Sequence, residues 1–214
     1  MYRDGVAGTY PGRLVGGNVA LDLCNTVSWQ FDPGRRVDRI GTPEQFDVWF
    51  AAVLLGLGQS PPTREREGGE APGLSLDAAL LVQVHRLREA MSQVLGAHLE
   101  GGDASPARAI VLKQWRAALE VAEPGPALPL SLAFTPREPT DVPRFLALAA
   151  GDLLRDEAIR RLRRCQGQGC GWFFLDTTRN RSRRWCAPDD CGNRERVRAY
   201  GQRRRSATAA RPGA

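Results

Sequence analysis

Four of the five cysteines stand near the C-terminus as two pairs with the same internal spacing, Cys165 with Cys170 and Cys186 with Cys191, each a C-x4-C. Four thiolates on two short loops match the tetrahedral, soft-sulfur preference of a structural Zn²⁺, and they leave no coordination position open for a catalytic water. Two local disulfides are the competing reading of the same spacing. Gly167 and Gly169 give the loop backbone freedom to wrap an ion, Pro188 favours a turn in the second loop, and Gly171 allows a tight turn after Cys170. The fifth cysteine, Cys24, lies alone in VALDLCNTV and reads as a small buried apolar residue.

Charge gathers around these pairs. Residues 160–205 hold fourteen arginines against Asp176, Asp189, Asp190 and Glu195, whereas residues 1–159 are mildly acidic, with fifteen basic and twenty acidic side chains. Lys113 is the single lysine, so the choice of arginine over lysine reflects composition. The clustering is what points to a polyanion such as DNA. Arg179, Arg181, Arg183 and Arg184 before the second pair, with Arg194 and Arg198 after it, are the candidate nucleic-acid contacts. The same arginines could instead balance the thiolates and pair with nearby carboxylates.

These residues need elements to position them. IRRLRRC (159–165) leads into the first loop, WFFLDTT (172–178) has strand composition, and RNRS (179–182) has turn composition. SRRWC (182–186) is expected to return as the second strand of a hairpin. Pro188, Asp189 and Asp190 then open a helix through Arg205, with Val197 and Tyr200 packed on Trp172, Phe174 and Trp185. That layout is treble-clef-like. About 46 residues of it have too little apolar area to fold without metal.

Upstream the pattern is mostly helical. Thr42 and Pro43 open one helix, Asp77 a second with an apolar face from Leu80 to His98, residues 106–121 a third, and residues 141–155 a fourth. His85 and His98 lack ligand-spaced partners and read as structural. Residues 59–73, 101–106 and 122–127 read as loops, and PLSLAF (129–134) as a short strand. LVGGNVALDLCNTVSW suits either a buried first helix or a strand followed by a helix. Its Asp22, Asn25 and Thr26 are either a buried hydrogen-bond network or candidate ligand-binding groups. The expected fold is mainly α with a few short strands: a helical domain over 1–156, a small zinc finger over 157–205 and a disordered tail over 206–214.

The segment RRCQGQGCGWFFLDTTRNRSRRWCAPDDCGNRERVRAY resembles the C-terminal module of the CGNR zinc-finger family, named for the run here formed by Cys191, Gly192, Asn193 and Arg194. NVALDLCNTVSW and PEQFDVWF are similar to the ABATE domain that precedes that finger in many bacterial proteins. The resemblance implies one structural zinc on Cys165, Cys170, Cys186 and Cys191, and a stress-related bacterial transcription regulator.

No N-terminal stretch has signal-peptide character and none approaches a membrane span, so a cytoplasmic, non-membrane protein is expected. No catalytic triad, phosphate-cradling loop or open metal site stands out, so no enzymatic activity is expected. The expected partners are DNA, a small-molecule effector and a second copy of the chain, with a protein- or RNA-interaction module as the alternative role.

Overall fold

A computed structural model describes residues 10–61, 63–66, 69–72, 74–126, 132–133 and 135–209. Helices α1 (Val19–Cys24), α2 (Pro43–Gly56), α3 (Ala78–Glu100), α4 (Ser105–Leu119) and α5 (Val142–Arg155) surround one apolar core, and α6 (Cys191–Ala209) follows the last cysteine. Four antiparallel two-stranded ladders accompany them: β1 (Val27–Ser28) with β2 (Val37–Asp38), β3 (Thr63–Arg66) with β4 (Gly69–Pro72), β5 (Glu123–Pro124) with β6 (Leu132–Ala133), and β7 (Leu162–Arg164) with β8 (Phe173–Leu175). The fold is mainly α with few short strands.

Local signals set the helix ends. Thr42 and Gln45 form a reciprocal capping box with Pro43 in the first turn of α2. Asp77 accepts from the Leu80 N–H, and Gly101, at φ 77°, closes α3 in the left-handed region. Phe46, Trp49 and Phe50 of α2 enter the core together, and Phe50 meets Phe145 of α5 edge to face at 5.6 Å. The longest helix, α3, buries Leu81, Val84, Leu87, Met91 and Leu95. His98 stands exposed at its end, off the expected face, while His85 contacts the Ile40 carbonyl at 2.9 Å.

Several expectations change. Of the two readings of residues 14–29 the buried first helix holds, as α1, and strand β1 follows it instead of preceding it. The loop expected over 59–73 contains the β3–β4 ladder, and 122–127 contributes β5. Only Leu132 and Ala133 of the strand expected over 129–134 are strand, residues 129–131 and 134 lying outside the described set. α6 continues through Ala209, so helix covers the first part of the expected tail; residues 210–214 lie outside the described set.

One buried ion pair fastens α3 to β2. Arg88, 4% exposed, forks onto Asp38 with Nη1 to Oδ1 at 2.7 Å and Nη2 to Oδ2 at 2.6 Å, and also donates to Thr26 Oγ1 at 3.1 Å. Burial opposes ionisation of Asp38, but the Arg88 fork and the Ile40 N–H outweigh it and hold the carboxyl below its ordinary value. A lowered carboxylate pKa contributes stability that is complete above the unfolded value, about 4, and fades as pH falls through the folded one. Asp38→Asn should therefore lower unfolding free energy at neutral pH by about 2 kcal/mol, less than a fully enclosed pair because Asp38 is partly exposed. The difference between variant and parent in urea unfolding should shrink below about pH 4.

Candidate metal centre and its arginine surround

The four sulfurs of Cys165, Cys170, Cys186 and Cys191 lie within 4.8 Å of one another, all buried. Cys170 Sγ to Cys186 Sγ is 3.8 Å and Cys186 Sγ to Cys191 Sγ is 3.5 Å. Sulfurs of a disulfide stand about 2.05 Å apart, so none of these is bonded to another, and all five cysteines are free. Four sulfurs each about 2.3 Å from a tetrahedral zinc would be about 3.8 Å apart, close to the two distances given above. The cluster fits one zinc ion.

Crowding couples the ionisation of the four sulfurs. Contacts with the other three thiols hold Cys165 far below its ordinary value, while thiol contacts push Cys170 and Cys186 far above theirs. Cys191 is lowered to about 7: its contact with Cys165 raises it, but contacts with Cys170, Cys186 and Arg194 prevail. A divalent ion in place of the thiol protons would let all four ionise. Donors to sulfur are already in place, from the N–H groups of Gly167 (3.4 Å) and Cys186 (3.2 Å) to Cys165 and from Arg194 Nη2 to Cys191 (3.1 Å).

The first cysteine pair sits on the β7–β8 ladder. Its register pairs Leu162 with Leu175 and Arg164 with Phe173, and the Cys165 N–H bonds to the Trp172 carbonyl at 2.8 Å. β8 alternates: Phe173 and Leu175 enter the main core, while Trp172 and Phe174 pack beside the cysteines. Gly167 is favoured by close approach, because a Cβ there would lie 3.0 Å from Cys191 Sγ. The sequence-based hairpin between 172–178 and 182–186 is not formed; β8 pairs backwards with β7. The reason lies at Asp176, which is buried and accepts from Thr178 N and Oγ1 and from Arg183 N, curling the chain into a loop. These bonds overcome the effect of burial and keep its carboxyl below the ordinary range.

The N-terminal domain grips this module through its backbone. Asn25 bonds Phe173 twice, Nδ2 to the carbonyl and Oδ1 from the N–H, both at 2.8 Å. The Leu175 N–H reaches the Gly16 carbonyl, and the Gln30 and Phe31 N–H groups reach the carbonyls of Cys170 and Gly169. Trp172 Nε1 donates to the Val27 carbonyl at 2.8 Å. Of the candidate ligand-binding residues, Asp22 accepts from the Gly16 N–H, and Thr26 Oγ1 donates to the Leu23 carbonyl while accepting from Arg88. All three are buried, and Asn25 and Thr26 are engaged in holding the fold together.

The six arginines divide. Arg179, Arg181 and Arg184 are exposed, although Arg184 also bonds Gln166 Oε1. Arg183 turns inward, donates to the carbonyls of Val15, Trp185 and Cys186, and stacks on Phe174 at 4.2 Å. These contacts engage it within the fold rather than at the exposed surface. Arg194 pairs with Asp190, bonds Cys191 and lies 4.4 Å from the Trp29 ring centroid; Arg198 pairs with Glu195. Val197 and Tyr200 are 63% and 56% exposed and do not cover the aromatic residues as expected.

Trp29 has no counterpart in the sequence-based site. It sits at φ 56°, a conformation costly for a side chain of its size, with Arg35 3.7 Å from its ring as well as Arg194. Its role cannot be read locally because Arg194 is distant in sequence. The Cys191–Arg194 half was legible, since three residues along a helix place a donor beside the sulfur.

Arg194→Ala should weaken zinc retention by about tenfold in chelator competition, as loss of an outer-sphere donor does elsewhere. It should also change Trp29 fluorescence, which an effect confined to the metal would leave alone. Asn25→Leu strands both polar groups of Phe173 and should cost about 2–3 kcal/mol in chemical unfolding of the zinc-loaded chain.

Comparison with known families agrees with this architecture. Residues 161–204 match the family described as "CGNR zinc finger", and residues 17–157 match ABATE, described as "Putative stress-induced transcription regulator". Among curated proteins no relative matches the chain. No helix among the described residues is long and apolar enough to cross a membrane. With the ABATE match extending from just before α1 to just past α5 and the finger match covering the thiol cluster, the chain belongs to the ABATE family and carries a C-terminal CGNR zinc finger.

Proposed function

We propose that this chain regulates transcription by binding duplex DNA through the outer surface of its zinc module. The observation that carries the reading is the set of exposed arginines there without a carboxylate partner among the described residues: Arg179, Arg181, Arg184, Arg196, Arg203 and Arg205. α6 strengthens it. The helix is 19 residues long, about 28 Å, and it packs extensively on no other element. A helix polar on nearly every side gains its stability from a partner, and phosphates suit this one. Arg196 and Arg203 are seven residues apart, close to two turns, and share a face suited to a groove.

The role is non-catalytic in this reading, since zinc held by four thiolates has no place for a substrate. A cytoplasmic chain that pairs with a second copy would present two such helices to DNA. The alternative is a protein- or RNA-binding module, favoured by Val197 and Tyr200, apolar surface amid the charge.

Binding of the zinc-loaded chain to a duplex across a salt series distinguishes these. If about five phosphates are neutralised, log K against log salt should fall with a slope of roughly −4 to −5, and Arg196→Ala and Arg203→Ala should each make it shallower by about one. A slope near zero would overturn the DNA reading, and a partner retained through high salt and nuclease would support the alternative.

A further inference from the structure

We propose that the cavity between α3 and the β7–β8 ladder binds a small aromatic carboxylate. It has a volume of about 360 Å³, at the lower end for small-ligand pockets, and lies where the N-terminal domain meets the zinc module. None of the residues first suspected of ligand binding lines it. Phe31, Arg36, Arg88, Ser92, Arg164 and Phe173 supply the features used here.

Cationic donors in the lining identify the chemistry. Arg36, Arg88 and Arg164 all line the cavity. The Nε–H groups of Arg88 and Arg164 are themselves enclosed without a partner, so a ligand meets Arg164 through a turn of its guanidinium. A guanidinium offers donors only, and a carboxylate brings two acceptor oxygens to it. Charge agrees. Asp38 already neutralises Arg88, but Arg36 is exposed and has no carboxylate partner among the described residues. The one carboxylate in the lining, Glu89, is exposed.

Arg164 can change partners. Its ion pair is with Glu100, 64% exposed, and a pair so open to water is weak. Its guanidinium lies 5.3 Å from the Phe31 ring and 5.1 Å from Phe173, and Gly96 gives it room, since a Cβ there would come within 2.9 Å of Nη2. A flat apolar ligand thus meets Phe31 and Phe173, and its carboxylate takes Arg164 from Glu100. Arg164 immediately precedes Cys165, so occupancy ties α3 to the strand that carries the first metal ligand.

The test is calorimetric titration of the full zinc-loaded chain, without nucleic acid, with 2-naphthoate, its neutral amide and inorganic phosphate. Its outcome is therefore independent of whether the chain binds DNA. Naphthoate should saturate with a Kd below about 1 mM, and the amide and phosphate should bind at least about tenfold more weakly. Glu100→Gln removes the internal competitor and should tighten naphthoate binding. Arg36→Ala, at an exposed position, should weaken it about tenfold, and Ser92→Phe should abolish it. Equal affinity for the amide, no saturation by about 10 mM, or a Glu100→Gln chain that binds no better would overturn the assignment. Should Ser92→Phe fail to fold, Arg36→Ala and Glu100→Gln carry the decision.

Discussion

Four sulfurs confined within 4.8 Å set the terms for the whole C-terminal half. Two thiolates 4 Å apart repel by about 4 kcal/mol at the effective dielectric of a protein surface, so four cannot ionise together without a cation among them. Zinc binding to such a site supplies about 10–16 kcal/mol, as much as the net stability of an ordinary domain. Two thiolate charges in excess remain even then. The N–H groups of Gly167 and Cys186 and the Arg194 guanidinium are placed to meet that excess.

This constraint does not stop at the finger, because β8 has two faces in two cores. Phe173 and Leu175 belong to the helical domain, Trp172 and Phe174 to the metal centre, and they alternate along one strand. A shift of one residue would exchange the two sets. The Asn25 side chain prevents such a shift by reading both the N–H and the carbonyl of Phe173. The family boundaries near residue 160 therefore mark units of sequence, while the packing across them is continuous.

The sequence shows clearly what periodicity and spacing encode. Capped helices at Thr42 and Asp77 form as their apolar periods require, and two C-x4-C pairs converge. Pairing partners were less legible. WFFLDTT has strand composition, but composition does not say whether the chain pairs forward or backward, and the buried Asp176 decides it by holding Thr178 and Arg183 in a loop. Asn25 and Thr26 stood out as polar residues in an apolar run. Their partners, Phe173 and Arg88, are 148 and 62 residues away, beyond any local rule. The same distance hid Trp29, whose partner Arg194 was known but assigned to nucleic acid.

The contacts of Arg194 bear on the proposed DNA interface. In the run Cys191-Gly192-Asn193-Arg194, the cysteine is a metal ligand and the arginine supports its sulfur. The Gly192 N–H closes onto the Ala187 carbonyl, and a Cβ at 192 would stand in ordinary contact with Trp185. Two of the four side chains thus serve the metal frame. An arginine held by Cys191, Asp190 and Trp29 has little freedom left for a bidentate contact to a base, since leaving any of them unpaired subtracts from what the contact would gain. The proposed DNA contact therefore falls to side chains without such duties, those around Arg196 and Arg203 on α6 and around Arg179 and Arg181 in the loop. The metal frame and these exposed arginines are separate sets of residues, so the exposed set can change without cost to the zinc site.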